Sequence, residues 1–162
     1  MTITFPESYF LYSGASPEED AEECKGLGDE YCTDAKAVDG CLILEVTQTQ
    51  RENMIKRGHE YLDELMAPFF EADPSYSFQG SEDYTEISFY YDEKLSPNLQ
   101  GTAVFGATVG YAHNYILINN AEDWSVHLKI YNCHTKNIVA EGVLPGDELS
   151  FDEKDWEESY VE

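Results

Sequence analysis

Negative charge is distributed unevenly along the 162 residues, and this distribution limits where a hydrophobic core can form. Three blocks are strongly acidic, with 10 acids against 2 bases in residues 1–40, 7 against 1 in residues 71–100, and 9 against 1 in residues 141–162. The two intervening blocks, residues 41–70 and 101–140, are nearly neutral and contain the clearest apolar periodicity. We therefore expect a core built mainly from the neutral blocks and surrounded by exposed carboxylates.

The net charge of −24 excludes several classes of function. A domain of this size ordinarily carries a charge of magnitude ~2–8. Phosphate contacts need clustered lysine and arginine, so binding of nucleic acid through a basic patch is excluded, and anionic membrane surfaces would repel the chain. No apolar stretch is long enough to cross a membrane, and residues 1–7 lack the pattern of a signal peptide. The expectation is a cytoplasmic protein whose four cysteines are reduced thiols.

Aromatic residues make up 14% of the chain, which separates it from acidic disordered tails because such a chain can bury a core. The length fits one domain, so residues 1–162 are expected to form a single acidic α+β domain. Residues 152–162 are acidic with Trp156 and Tyr160 interleaved, which is compatible with a docked last helix or with a mobile acidic tail.

Capping signals and apolar periodicity predict two helices. The segment Ser16-Pro17-Glu18-Glu19 combines an N-cap serine, a proline at the first helical position and a glutamate three residues after the cap. It predicts a short acidic helix that ends near Gly26. The segment 49–52 predicts the start of a longer amphipathic helix over about residues 50–67, which Pro68 ends or kinks.

Alternation of apolar and polar residues predicts the strands. Residues 84–91 show it clearly, with Ile87, Phe89 and Tyr91 on one side and Glu86, Ser88 and Tyr90 on the other. The further predicted strands are 41–46, 102–109, 113–118, 124–131, 138–144 and a short one at 148–151. The predicted fold class is α+β, with an antiparallel sheet of about five strands packed against one long amphipathic helix, and a short acidic N-terminal helix.

No residue pattern predicts a catalytic centre. The four histidines form no i,i+4 pair, Cys133-His134 has no second Cys-x-x-Cys partner, and the spacing of Cys24, Cys32 and Cys41 matches no zinc motif. Nucleophile elbows, phosphate-binding loops and dinucleotide fingerprints are absent from the sequence. We therefore expect a protein that is not an enzyme and has no metal and no cofactor. A bound transition metal with Cys133 and His134 among its ligands would instead favour a metal-assisted enzyme.

The amount of negative charge per unit length can be compared with that of duplex DNA. Duplex DNA carries one negative charge per ~1.7 Å of axis, so 24 charges correspond to about 41 Å of duplex. A compact chain of this length has a diameter on the order of 40 Å. The chain therefore carries about as much charge along its length as DNA does. Such a surface should attract proteins whose basic channels bind nucleic acid.

In size and charge the chain is similar to antirestriction and anti-CRISPR proteins, a likeness of composition alone. The likeness implies an inhibitor that acts as a DNA mimic and blocks the nucleic-acid-binding surface of a defence nuclease. The expected partner is thus a basic nucleic-acid-binding protein, with no direct binding of nucleic acid or membrane and with the oligomeric state left open. The alternative is an acidic immunity or adaptor protein that neutralises a basic enzyme or toxin away from its nucleic-acid site.

The predicted partner contacts are acids of the three acidic blocks, with tyrosine and tryptophan among them as anchors. They are Glu18, Glu19, Asp20, Glu22 and Glu23 on the first helix, Glu82, Asp83, Tyr84, Tyr91, Asp92 and Glu93 around the strand 84–91, and Asp152, Glu153, Asp155, Trp156, Glu157, Glu158 and Tyr160 at the end of the chain.

Overall fold

Five helices and seven strands form among residues 1–161, the part of the chain that the computed structural model describes. In chain order they are β1 (Thr2–Phe5), α1 (Glu7–Ser13), α2 (Pro17–Gly26), β2 (Asp34–Val38), β3 (Cys41–Glu45), α3 (Gln48–Ala72), β4 (Ser77–Gly80), β5 (Glu86–Tyr91), α4 (Pro97–Asn119), β6 (Val126–Asn132), β7 (Ile138–Leu144) and α5 (Glu153–Ser159). The α+β class is confirmed, but the strands form two sheets, one of three strands and one of four.

The chain groups into two compact units. The first unit is Met1–Tyr61 with Val109–Trp124, and the second is Leu62–Thr108 with the chain from Ser125 onward. The boundary falls inside α3 and α4, so each of these helices contributes a segment to both units. The three-stranded sheet belongs to the first unit and the four-stranded sheet to the second.

The first unit is built on an antiparallel sheet in the order β1-β3-β2. A two-residue loop, Asp39-Gly40, joins β2 to β3 with both residues at positive φ, as the tightest hairpin turns require. Helix α2 begins where the sequence predicts, because the Glu19 N–H donates to the Ser16 hydroxyl at 3.3 Å and Pro17 opens the helix. This helix packs on β2 and β3 and buries Ala21.

Helix α3 is longer at both ends than the predicted 50–67. The capping box is formed by Thr47 and Gln50, since the Gln50 N–H donates to the Thr47 hydroxyl at 3.1 Å and the Thr47 N–H donates to Gln50 Oε1 at 2.8 Å. The predicted start at Thr49 is therefore two residues late. Gln50 is buried and also donates to the Asp29 carbonyl, and these contacts explain why Gln50 forms the capping box in place of the predicted Glu52. Pro68 lies inside the helix, which continues to Ala72.

The predicted strands 102–109 and 113–118 are wrong, because this segment forms the long helix α4. Its buried residues recur at helical spacing, with Ala103, Ala107 and Tyr111 four residues apart. In the second unit, a Cβ at Gly106 would overlap the side chain of Leu65 on α3, so glycine allows the two helices to approach closely. Tertiary packing of this kind overrides the low helix propensity of the glycines and β-branched residues.

The second unit is built on a sheet in the order β4-β5-β6-β7. Strands β5 and β6 are parallel, with Ile87 opposite Leu128 and Tyr91 opposite Asn132, and the other two pairings are antiparallel. The expectation of an entirely antiparallel sheet is therefore wrong, because α4 connects β5 to β6 as a crossover. No strand forms at 148–151 in the described chain.

The end of the described chain contains a short helix that packs within the second unit. Helix α5 forms at Glu153–Ser159 and contacts β7. Trp156 is 7% exposed, and its ring centre lies 5.3 Å from that of Tyr91. Glu162 lies outside the described residues. None of the helices among residues 1–161 has the length and hydropathy that crossing a bilayer needs.

Candidate functional site

The acids of α2 form the densest predicted contact surface that the structure exposes. Glu18, Glu19, Glu22 and Glu23 are exposed, and Asp20 is half-buried. The six residues 18–23 carry five carboxylates over about 9 Å of helix, because an α-helix rises about 1.5 Å per residue. This spacing is about 1.8 Å per charge along the axis, against ~1.7 Å for duplex DNA.

Asp20 is half-buried on α2 and has Glu19 and Glu23 as negatively charged neighbours. Burial raises the pKa of this carboxyl group, and the neighbouring charges of Glu23 and Glu19 raise it further. One arginine, Arg57, approaches Glu23 at 3.8 Å, and both side chains are largely solvent-exposed. The surface of α2 therefore remains strongly negative.

Few acids in residues 1–161, α2 included, are paired with a basic side chain. Four carboxylates lie within 4.0 Å of a lysine or arginine: Glu23, Asp34, Glu60 and Glu158. All of these pairs are exposed, and exposed pairs contribute roughly 0–1 kcal/mol each. The other exposed carboxylates of the described chain have no lysine or arginine within 4.0 Å, so their negative charge can act on a partner.

Two further groups of predicted contacts lie in the second unit. Glu82 and Asp83 are exposed in the turn between β4 and β5. Hydrogen bonds from Thr85 and Ser81 lower the pKa of Asp83, so this carboxylate stays ionised. In the turn after β5, Glu93 is exposed and accepts a hydrogen bond from the Tyr160 hydroxyl at 2.7 Å.

On α5 the predicted acids divide by role. Asp152 caps the helix by accepting from the Lys154 and Asp155 N–H groups, and Asp155 accepts in return from the Asp152 N–H at 2.8 Å. The three glutamates Glu153, Glu157 and Glu158 are exposed. The cap therefore starts the helix that carries these glutamates.

Four of the predicted contact residues are buried, which corrects their assignment. Tyr84, Tyr91, Asp92 and Trp156 are 6%, 0%, 3% and 7% exposed. The aromatic side chains contribute to the packing of the second unit, where Tyr91 alternates inward on β5. Tyr160, at 42% exposed, is the predicted aromatic anchor that reaches the surface.

A polar cluster that sequence reasoning did not assemble lies at the edge of the four-stranded sheet. Asp92 directly follows β5, and Cys133 and His134 directly follow β6. The parallel pairing brings these strand ends together, since the Cys133 N–H donates to the Tyr91 carbonyl at 2.9 Å. In sheets with parallel strands, ligands bind preferentially at the carboxyl ends of those strands.

Asp92 is the centre of this cluster. Its Oδ1 accepts from the Tyr76 hydroxyl at 2.6 Å and from the Lys94 N–H at 3.0 Å, and its Oδ2 lies 2.9 Å from His134 Nε2. Burial by itself raises the pKa of a carboxyl group, but the hydrogen bonds from Tyr76 and His134 outweigh it and hold the pKa of Asp92 below its ordinary value. Asp92 is therefore an ionised, buried carboxylate.

Cys133 is a poor nucleophile in this setting. Burial raises the pKa of its thiol, against the lowering effect of a hydrogen bond with Ser75, whose Oγ lies 3.7 Å from Sγ. The donor atoms of Asp92, Cys133 and His134 nevertheless lie within 4.8 Å of one another and could share a metal ion. The grouping of these three donor atoms is therefore the feature of the cluster that points to a bound ion.

Comparison with protein-family models, with curated proteins and with solved structures finds no match to this chain. Two features of the described chain carry functional information. The acidic surface of α2 belongs to the first unit, and the Asp92 cluster belongs to the second.

Proposed function

We propose that the chain is an inhibitor that acts as a negatively charged DNA mimic and blocks the nucleic-acid-binding surface of a defence nuclease, of the antirestriction or anti-CRISPR type. The observation that carries the proposal is the acidic face of α2, whose carboxylates repeat at about the axial charge spacing of duplex DNA. A basic channel that accommodates phosphates at that spacing can pair with the carboxylates of one short, rigid helix.

The scarcity of compensating charge supports this proposal. Lysine or arginine approaches only four of the carboxylates described in residues 1–161, so the field of the remaining acids extends into solvent. A field of this kind accelerates association with a basic surface and opposes association with acidic ones. Inhibition would be steric and competitive and would require no chemical step.

Charge alone supplies modest contact energy, so an anchor is needed. Exposed ion pairs contribute about 0.2–1 kcal/mol each. Tyr160 meets the requirement in the second unit, because the residue is 42% exposed and its hydroxyl donates a hydrogen bond to Glu93. The exposed glutamates of α5, Glu153, Glu157 and Glu158, lie close to it in the sequence.

The test is DNA cleavage by purified defence nucleases, both restriction enzymes and RNA-guided nucleases, in the presence of increasing amounts of the chain. We expect at least one nuclease to be inhibited, and we expect excess duplex DNA to relieve the inhibition. Inhibition that excess DNA does not relieve would contradict mimicry and support the adaptor alternative.

A matched pair of variants separates the α2 surface from total charge. The test variant changes Glu18, Glu19 and Glu22 to Gln, and the control variant changes Asp63 to Asn and Glu64 and Glu71 to Gln on α3. All six side chains are exposed, and both variants lose three negative charges. Three pairs at about 0.2–1 kcal/mol predict an inhibition constant roughly 3- to 150-fold weaker for the α2 variant. Equal weakening in both variants would contradict a specific role of α2.

A further inference from the structure

The Asp92 cluster combines three different ligand types at one edge of the four-stranded sheet. We propose that Asp92, Cys133 and His134 form a binding site for one divalent transition-metal ion of the zinc type. The site does not involve α2, and this inference does not depend on the proposed inhibitor function.

The geometry of the donors is close to what such an ion needs. Zinc bonds of about 2.0–2.3 Å in a tetrahedral centre place ligand atoms roughly 3.3–3.8 Å apart. The carboxylate, thiol and imidazole donors already lie within 4.8 Å of one another, and one pair, Asp92 Oδ2 and His134 Nε2, is at 2.9 Å. Coordination therefore requires small side-chain rotations, with the ion taking the place of the direct contact between Asp92 and His134.

The backbone positions of these ligands are fixed by the sheet. Asp92 and Cys133 extend two parallel strands that are hydrogen-bonded to each other, and the His134 N–H donates to Asn132 Oδ1 at 2.9 Å. Asn132 is fully buried and in turn donates to the Ser159 hydroxyl. Rigid strand ends are better platforms for a precise metal site than mobile loops.

Neighbouring residues contact the same three side chains and orient them. Tyr76 and the Lys94 N–H hold Asp92, and the Tyr160 ring stacks on His134 with ring centres 6.2 Å apart at 22°. Ser75 lies beside the Cys133 sulfur. Partners of this kind fix the orientation of ligands and are a regular part of protein metal centres.

The donor set selects the class of ion. A sulfur and an imidazole nitrogen favour zinc and its neighbours in the transition series over calcium and magnesium, which prefer all-oxygen sites. Three protein donors leave a fourth coordination position for water. The His134 side chain is 50% exposed, so the ion can enter from solvent.

The competing explanation is a hydrogen-bonded network that binds no ion. Asp92 is buried without a lysine or arginine partner among the described ion pairs, and Tyr76, Lys94 and His134 satisfy its oxygens. This network accounts for the buried aspartate, and in it the Cys133 sulfur, placed beside the same two side chains, is only a buried core atom in contact with Ser75. A measurement of metal binding distinguishes the two explanations.

The experiment titrates Co²⁺ into the full chain after chelator treatment, under a reductant that binds no metal. We expect one equivalent of Co²⁺ to produce a sulfur-to-cobalt charge-transfer band together with tetrahedral ligand-field bands, and Zn²⁺ to displace it. The variant Cys133→Ser should lose the charge-transfer band. The variant His134→Ala should weaken binding by at least about tenfold, the lower end of what removal even of a supporting group costs.

Two control variants replace a cysteine and a histidine that lie outside the Asp92 cluster. Cys41→Ser removes a half-buried thiol on β3, and His127→Ala removes a β6 histidine that lies between Glu86 and Glu141. Both should bind Co²⁺ as the unmodified chain does. Weak binding of several equivalents with no charge-transfer band would show adventitious binding to surface acids and would overturn the proposal. A band that persists in Cys133→Ser would also overturn it.

Folding of the variants does not limit the test. The spectrum of the unmodified chain alone shows whether a thiolate coordinates the ion. His134 is half-exposed, so its replacement by alanine removes the imidazole with little change in the buried core. The absence of the band in the unmodified chain overturns the proposal whatever the variants do.

Discussion

The pairing of Asp92 with His134 can be tested by the substitution Asp92→Asn. Asparagine has nearly the same shape, and its amide oxygen can still accept from the Tyr76 hydroxyl and the Lys94 N–H. Its amide nitrogen cannot accept from His134 Nε2, which lies 2.9 Å from Asp92 Oδ2. The substitution therefore replaces the hydrogen bond to a charged carboxylate by, at most, a weaker neutral one in which the amide N–H donates to His134 Nε2, and it leaves the other two contacts possible.

The magnitude follows from the burial of the two partners. A hydrogen bond to a charged group contributes about 1.5–3 kcal/mol. The Asp92 side chain is 4% exposed but that of His134 is 50% exposed, so solvent places the contribution near the lower end, about 1.5 kcal/mol. His134→Ala should lower the free energy of unfolding further, because it removes the same hydrogen bond and also the stacking of the imidazole ring on Tyr160.

The assay is urea unfolding of the unmodified chain, the two single variants and the double variant, in buffer with chelator so that no metal contributes. Because both substitutions remove the same bond, the double variant should be about 1.5 kcal/mol more stable than the sum of the single effects predicts. Additive effects, with a coupling energy below about 0.3–0.5 kcal/mol, would refute the pairing.

Three other substitutions test further parts of the structure. Ser16→Ala removes the N-cap of α2 and should cost about 1 kcal/mol of unfolding free energy, whereas Ser150→Ala at an exposed position should change it by less than about 0.5 kcal/mol. Asp20→Asn should raise the free energy of unfolding at neutral pH, because burial and like charges raise the pKa of Asp20 in the folded state. This stabilisation should disappear below about pH 4, where the carboxyl is protonated in the folded and the unfolded state. A stabilisation that stays constant across this pH range would contradict the raised pKa of Asp20. Trp156→Ala should lower the free energy of unfolding by about 3–5 kcal/mol and abolish the near-ultraviolet circular dichroism of the Tyr91–Trp156 contact. A loss below about 1 kcal/mol would show that α5 is not docked.

Local signals predicted those elements whose ends are determined by neighbouring residues. Ser16 and Pro17 start α2, and the alternation of Ile87, Phe89 and Tyr91 corresponds to the buried face of β5. In both cases the stabilising contact, a side-chain cap or a period of two, can be read within a few residues.

The segment 102–118 could not be assigned correctly by the same reasoning. Its glycines and β-branched residues have low helix propensity, and its apolar residues are nearly continuous. What stabilises α4 is nonlocal, since glycine at position 106 fits against Leu65, and Gly58 allows the approach of Asn114, whose Oδ1 would lie 2.6 Å from a Cβ there. The short strands β1, β2 and β4 were missed because their pairing partners carry the information.

The Asp92 cluster could not be predicted because the segment that forms α4 was assigned to two strands. With two strands in place of α4, the chain between β5 and β6 favours an antiparallel sheet, and the ends of these strands would not meet. The crossover through α4 makes β5 and β6 parallel and places Asp92 beside Cys133 and His134, some 40 residues further along the chain. Residue types alone could name Cys133 and His134 as ligands, but topology supplies the third.

The most direct measurement of the central proposal is the affinity of the chain for an inhibited nuclease as a function of salt concentration. A complex that depends on the exposed carboxylates of α2 should weaken steeply between low and physiological salt, and the variant with Glu18, Glu19 and Glu22 changed to Gln should show a shallower slope. An affinity that stays constant over this range, or equal slopes for the two proteins, would contradict DNA mimicry.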